Sequence, residues 1–316
     1  MKWSTPVAIL PGPVALDYDG SVLLLGSCFA THLGEKLRYF QFDALTNPFG
    51  VIFHPAPLLG VLKRAVGDRP FDPAELFERQ GLWRSFEAHS SLAHPDREAA
   101  ALALNTARVR LKEQLQRATH VVLTLGSAFG YRYQASGQLV ANCHTVPGTE
   151  FRKELAEPAE LEAWLEQIAG LLHAVAPRAH LLLTVSPVRH LRDGLVESQH
   201  SKALLLTAVH GVVSKGLATY FPAYEIVLDE LRDYRFYDRD LVHPNQVAID
   251  YVWERFAQAW IAASARPVME EVDSIRKGLA HKPLHASSEA HAAFREQLEV
   301  RIQRLHKQYP FMRFDQ

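Results

Sequence analysis

The sequence predicts an α/β fold, a three-layer αβα sandwich around a mostly parallel sheet, from three observations. Short apolar runs of strand length recur along the chain, helical stretches separate them, and each run ends in a glycine- or polar-rich turn. Strands joined by helices of this length imply right-handed crossovers and a sheet covered on both faces. In such sheets ligands bind beyond the carboxyl ends of the strands, where the polar clusters of this sequence fall.

The first run, residues 22–25, is followed by Gly26-Ser27-Cys28-Phe29-Ala30 and by a helix over residues 31–39. A Pro/Gly loop, Asn47-Pro48-Phe49-Gly50-Val51-Ile52-Phe53-His54-Pro55, is too rich in apolar rings for a linker and is expected to fold back on the top of the sheet. Residues 97–117 read as an amphipathic helix and 120–125 as a buried strand, which ends in Gly126-Ser127-Ala128-Phe129-Gly130. A hairpin over 131–140 turns at Ser136-Gly137. A helix over 158–174 leads to a strand over 181–185, which ends in Ser186-Pro187-Val188 before Arg189 and His190. Next come a helix over 201–219, a strand over 224–228 and a helix over 245–264. The tail from Met269 is charged and helical by pattern, with a break at Lys282-Pro283. We therefore expect a main domain over 1–266 and a C-terminal helical extension over 267–316 packed on it.

Composition narrows the function. The chain has 316 residues, 48% hydrophobic and 22% charged, so it can fill a large core. Its 34 basic residues nearly balance 35 acidic ones, which gives no footprint for nucleic acid and no polybasic membrane anchor. No apolar run is long enough to span a bilayer, and the first residues lack the apolar core of a secretory signal, so a cytoplasmic protein with a small-molecule partner is expected. Two cysteines do not make a disulfide framework, and in a reducing compartment each is a free thiol. Adjacent Cys143 and His144 cannot easily aim both groups at one ion, so neither a metal nor another cofactor is expected.

Two segments carry chemistry. A hydroxyl and a thiol, Ser27 and Cys28, stand at a strand–turn–helix junction, where unpaired N–H groups and the helix dipole favour negative charge. The same setting lowers a thiol pKa, so Cys28 is expected to be partly thiolate near neutral pH. Far along the chain, Asp240-Leu241-Val242-His243 puts a carboxylate and an imidazole three residues apart, as a general base and its orienting acid require. The structural alternative is that Asp240 or Asn245 caps the following helix. Arg189 offers an anion clamp for a substrate carboxylate or phosphate, or else an ion pair with Asp193 or Glu197.

With these motifs in order, the sequence resembles the GSCFA-domain proteins, whose motif stands here as Gly26-Ser27-Cys28-Phe29-Ala30. Asn47-Pro48-Phe49-Gly50, Thr124-Leu125-Gly126-Ser127-Ala128, Asn142-Cys143-His144, Ser186-Pro187-Val188-Arg189-His190, Tyr220-Phe221-Pro222 and Asp240-Leu241-Val242-His243-Pro244 look like further family segments, as does the stretch 229–237. The family is placed with the SGNH or GDSL hydrolase-like superfamily, which implies a flavodoxin-like sheet and an acyl-enzyme mechanism on ester bonds, by hydrolysis or acyl transfer. The substrate would be an acylated carbohydrate or another small ester. By the same resemblance His243 with Asp240 activates the nucleophile, Cys28 or, if the turn is displaced by one residue, Ser27. Gly50 matches the lone oxyanion glycine. The superfamily's Gly-x-Asn block stands here as Gly126-Ser127-Ala128, so its asparagine is missing, and Asn47, Ser127, Asn142 or His144 is left to supply the donor. A fold of this kind that has lost efficient catalysis and serves as a binding or scaffold protein is the competing expectation.

Overall fold

Side-chain alternation in the first strand sets the layering of the computed structural model, which describes residues 5–281 and 289–314. In β1 (Ser21–Gly26) every residue is buried. Leu23 and Leu25 enter one apolar core and Val22 and Leu24 another, because successive side chains leave a strand on opposite faces. β2 (Asp43–Thr46) pairs in parallel with β1. β3 (Phe77–Arg79) and β4 (Leu82–Arg84) form a separate antiparallel hairpin. β5 (His120–Leu125) pairs in parallel with the other side of β1. β6 (Phe129–Tyr133), β7 (Leu139–Val140) and β8 (Phe151–Leu155) make a small antiparallel sheet. β9 (His180–Val185) and β10 (Thr219–Tyr220) complete a five-stranded parallel sheet in the order β10-β9-β5-β1-β2.

Numbered along the chain, those five strands lie in the doubly wound order 2-1-3-4-5. The chain leaves β1 and β5 in opposite directions, which makes their carboxyl ends the switch point at which sheets of this kind bind ligands. Helices cover both faces. α1 (Cys28–Tyr39) packs on one, through Leu33 and Leu37. α2 (Pro55–Val66), α3 (Arg97–Arg117), α4 (Pro158–Val175) and α5 (Leu195–Ser214) bury Leu62, Leu111, Leu165 and Val209 on the other. α6 (Ala223–Glu225) runs into a π-helical stretch over Ile226–Leu231. α7 (Gln246–Trp260), α8 (Arg266–Ala280) and α9 (Glu289–Gln308) join α1, contributing Phe256, Ile275 and Leu298 to its core. The result is a three-layer sandwich with added C-terminal helices. Tyr39 Oη donates to Asp273 Oδ1 at 2.7 Å, and the Arg313 N–H donates to Gln41 Oε1 at 2.7 Å, which ties the C-terminal part to α1 and the turn after it. Among the described residues no helix is long and apolar enough to cross a membrane.

Several boundaries differ from expectation, for local reasons. The expected strand over 224–228 is helical: Pro222 cannot donate to a sheet ladder, and its carbonyl instead accepts from the Ile226 N–H at 3.0 Å. A short apolar run reads the same whether it becomes a buried helix or a strand. α5 begins well before residue 201, after Gly194 at φ 104°, and stops at Ser214 just before Gly216 at φ 70°. The expected break at Lys282-Pro283 lies outside the described residues.

One core group makes stability depend on pH. His54 caps α2, its Nδ1 accepting from the Ala56 N–H at 3.2 Å, with the ring against Trp164 at 5.4 Å. Burial pushes its pKa down from 6.5 to about 4. The unfolded chain therefore binds this proton more readily, so stability is full above about pH 6.5 and is lost as pH falls toward about 4. Urea midpoints of the parent chain should drop over this window. His54→Asn keeps a capping acceptor and should flatten the slope, whereas equal slopes for the two proteins would refute the assignment.

Candidate active site

The turn after β1 is built by backbone bonds from three directions. Gly26 N–H donates to Asn47 Oδ1 at 2.9 Å, Ser27 N–H to the Thr124 carbonyl of β5 at 2.9 Å, and Ile52 N–H to the Gly26 carbonyl at 3.0 Å. Gly26 takes φ 134°, and a Cβ there would strike the Thr124 carbonyl, so the strands approach this closely only because the residue is glycine. Ser27 is the N-cap of α1. Its hydroxyl accepts from the Phe29 N–H at 3.2 Å, and the residue is 2% exposed. Cys28 opens the helix and is half-buried. Asn47, at φ 44°, also donates from Nδ2 to Thr31 Oγ1 at 3.2 Å, so it buttresses the turn.

The thiol differs from expectation. Burial pushes the Cys28 pKa up and outweighs the helix-start amides and the Lys202 charge, which pull it down; Asp240 adds to the rise. The dipole at a helix start offsets only part of the cost of taking a thiolate out of water.

Asp240 and His243 form one unit. Asp240 Oδ2 lies 2.6 Å from His243 Nδ1, and Oδ1 accepts from the Val242 and His243 N–H groups at 2.9 and 3.0 Å. The hydrogen bond from the His243 side chain, aided by those amides, holds the carboxyl down at about 2. Nδ1 is thereby engaged, and Nε2 is the nitrogen left to take a proton. The neighbouring stretch braces the loop: Tyr237 bridges to Pro244, and Asp238 N–H donates to the His243 carbonyl at 2.7 Å. Asn245, not Asp240, caps α7, accepting from the Ala248 N–H at 3.1 Å.

A cavity of about 440 Å³ opens at the carboxyl ends of β5 and β9, lined by Phe53, Ser127, Phe129, Arg189, His190 and Val242 among others. Arg189 pairs with neither of its expected carboxylates. Its guanidinium lies 4.0 Å from the Tyr237 ring centre and 5.0 Å from that of Tyr234, while Asp193 binds Lys153 at 2.6 Å. His190 packs on Phe53 at 4.9 Å, and burial first, then the Lys202 charge, push its pKa down to about 4, so the ring is neutral near pH 7. It also senses His243, as Cys28 senses Asp240, which links the two halves of the site electrostatically.

The remaining expected donors make hydrogen bonds of their own. The Gly50 N–H closes its own turn on the Asn47 carbonyl at 2.7 Å, and His89 occupies the space a Cβ would need. Ser127 Oγ accepts from the Phe129 N–H at 3.0 Å and lies 3.1 Å from Ser201 Oγ. Asn142 Oδ1 accepts from the His144 N–H at 2.8 Å. His144 is buried against Phe77 and Phe86, and its Nε2 lies 2.7 Å from the Ser85 carbonyl. These contacts place Asn142 and His144 in the support of the small antiparallel sheets. Lys202 is the group the sequence reading missed. It is 2% exposed, with Nζ 2.6 Å from the Gly126 carbonyl and 2.7 Å from the Ser186 carbonyl. The available signal was a lysine in register with Ser198, Ser201 and Leu205 on one buried stripe of α5.

Residues 21–256 match the model of the GSCFA family. The chain belongs to that family. Residues 272–316 match a second model, described as GSCFA domain protein, C-terminal domain. No curated protein matches the chain. The GSCFA match runs from β1 into α7 and so contains the Cys28 turn, the cavity and the Asp240–His243 unit.

Two substitutions probe the turn of this GSCFA protein. Ser27→Ala removes an N-cap acceptor and should cost about 1 kcal/mol by urea denaturation. Gly26→Ala should cost more, about 2 kcal/mol or above, because backbone strain and the Thr124 carbonyl both oppose it. A Gly26→Ala chain as stable as the parent would mean that the close approach does not constrain the fold.

Proposed function

We propose that this GSCFA protein performs acyl-ester chemistry through a covalent Cys28 intermediate, in the manner of the SGNH or GDSL hydrolase-like superfamily. The observation that carries the reading is the 2.6 Å Asp240–His243 pair, whose carboxylate acts electrostatically on the thiol at the start of α1. Ser27 is the weaker nucleophile, since its hydroxyl is buried and caps the helix. Because burial favours the neutral thiol, the proton has to leave during attack, which is the task of a positioned base.

In the first step His243 Nε2 takes the thiol proton while sulfur bonds to the ester carbonyl carbon and the carbonyl π electrons move onto oxygen. Amides at the start of α1, the Cys28 N–H among them, favour that charge. Collapse of the tetrahedral species breaks the C–O bond, and the leaving alkoxide takes the proton from the imidazolium. Water or a second alcohol, deprotonated by His243, then attacks the thioester, and the sulfur leaves and regains a proton. Hydrolysis and transfer share every group. The aromatic lining from Phe53 and Phe129 suits the apolar or ring face of a small ester such as an acylated carbohydrate, and a free-thiol nucleophile suits a reducing, cytoplasmic setting. The second reading, a binding or scaffold protein, draws support from Ala128 at the asparagine position and from the raised thiol pKa.

The test is intact-protein mass after brief exposure to an activated acetyl ester. An acetyl adduct should form on the parent, vanish in Cys28→Ala, persist in Ser27→Ala and form about 100-fold more slowly in His243→Ala. Loss only in Ser27→Ala would move the nucleophile by one residue. Equal labelling of all four chains would leave the binding protein.

A further inference from the structure

Lys202 takes no part in the chemistry just described, yet its buried amine is held at the end of the strand that pairs with β1. The carbonyls that hold its Nζ, those of Gly126 and Ser186, follow the ends of β5 and β9. They engage two of the three ammonium hydrogens. β5 runs beside β1, with Gly26 opposite Thr124 and the Ser27 N–H on the Thr124 carbonyl. The anchor of Lys202 therefore lies one step past the strand pair that presents Cys28. No ion pair among the described residues supplies Lys202 with a carboxylate. Burying an ammonium without a counter-charge is costly, which singles out the site as one where a negative charge is to be received.

We propose that Lys202 is a positioning residue whose ammonium compensates the negative charge formed on the Cys28 sulfur. The inference rests on the reading of Cys28 as the reactive thiol. Three side chains face the pair from other elements: Asp240, in the loop before α7, disfavours the thiolate; His190, after β9, is neutral near pH 7; and the Tyr224 ring of α6 lies 5.9 Å from Lys202 Nζ, while within α1 the amides of Cys28 and Phe29 favour the thiolate. The influence is reciprocal, since Cys28 favours the charged form of Lys202 while burial pulls the lysine pKa down to about 7.

The experiment follows alkylation of Cys28 by iodoacetamide between about pH 6 and 10 by intact mass, in a Cys143→Ser background, for the parent and Lys202→Met. Removal of the charge should slow alkylation about tenfold near neutral pH and move the half-maximal rate to higher pH, as loss of a nearby opposite charge does. A purely structural lysine would lower the melting temperature without moving that profile. An unchanged profile in a folded Lys202→Met chain overturns the proposal, as does a parent thiol that does not alkylate at any pH in the range. Should Lys202→Met not fold, NMR titration of the Lys202 Cε signal decides: it should fall to lower pH in Cys28→Ala, and coincident curves overturn the proposal. The acetyl adduct on the parent is scored separately, so failure of the lysine role is distinguishable from failure of the acyl-enzyme reading.

Discussion

The close parallel approach of β1 and β5 is the constraint on which the rest of the molecule depends. It requires glycine at residue 26, because any side chain there meets the Thr124 carbonyl. It fixes the start of α1 through the Ser27 N–H, and it places the topological switch of the sheet beside Cys28. The loop after β2 closes over the same point through Asn47 and Ile52, so three chain segments meet at one peptide. A single short contact thereby sets strand register, helix start and thiol position together.

The electrostatics of the site divide along burial. Asp240 and His243 are both close to half exposed as side chains, and their pairing is secured by a short hydrogen bond and two amides. Cys28, His190 and Lys202 lie deeper, and for each of them burial is the largest influence and favours the neutral form. The deep groups are therefore balanced near neutrality at rest, and a charge created on one alters the others. The outer pair, whose carboxylate remains ionised down to low pH, would supply the directional base of the proposed mechanism.

Much of this was legible in the sequence. Apolar runs at 22–25, 120–125 and 181–185 mark the central strands because buried parallel strands are apolar on both faces. The Gly26-Ser27-Cys28 turn and Asp240-Leu241-Val242-His243 are local patterns, and local geometry produced their contacts. What depends on distant partners was not legible. β3, β4 and β8 carry mixed polar sequences such as Leu82-Trp83-Arg84 and are strands only through their pairing. Gly50 and His144 have the chemistry of donors, but their neighbours engage them, and no spacing reveals that. Lys202 gave only the faint signal of one charge on a buried helix stripe, and its partners are carbonyls 76 and 16 residues away.

α1 is held at both ends. The turn on β5 holds its first residue, and Asp273 of α8 holds Tyr39 at its last. Its middle is packed by Leu33 and Leu37 into a core shared with Trp253 and Ile302. His243, by contrast, stands on a surface loop with Leu241 at φ 56° and an exposed carboxylate partner. The site is thus built like a vice with one stationary jaw: the sulfur belongs to the frame of the molecule, and under the proposed acyl-enzyme chemistry accommodation to acyl groups and acceptors of different size would fall to the histidine side.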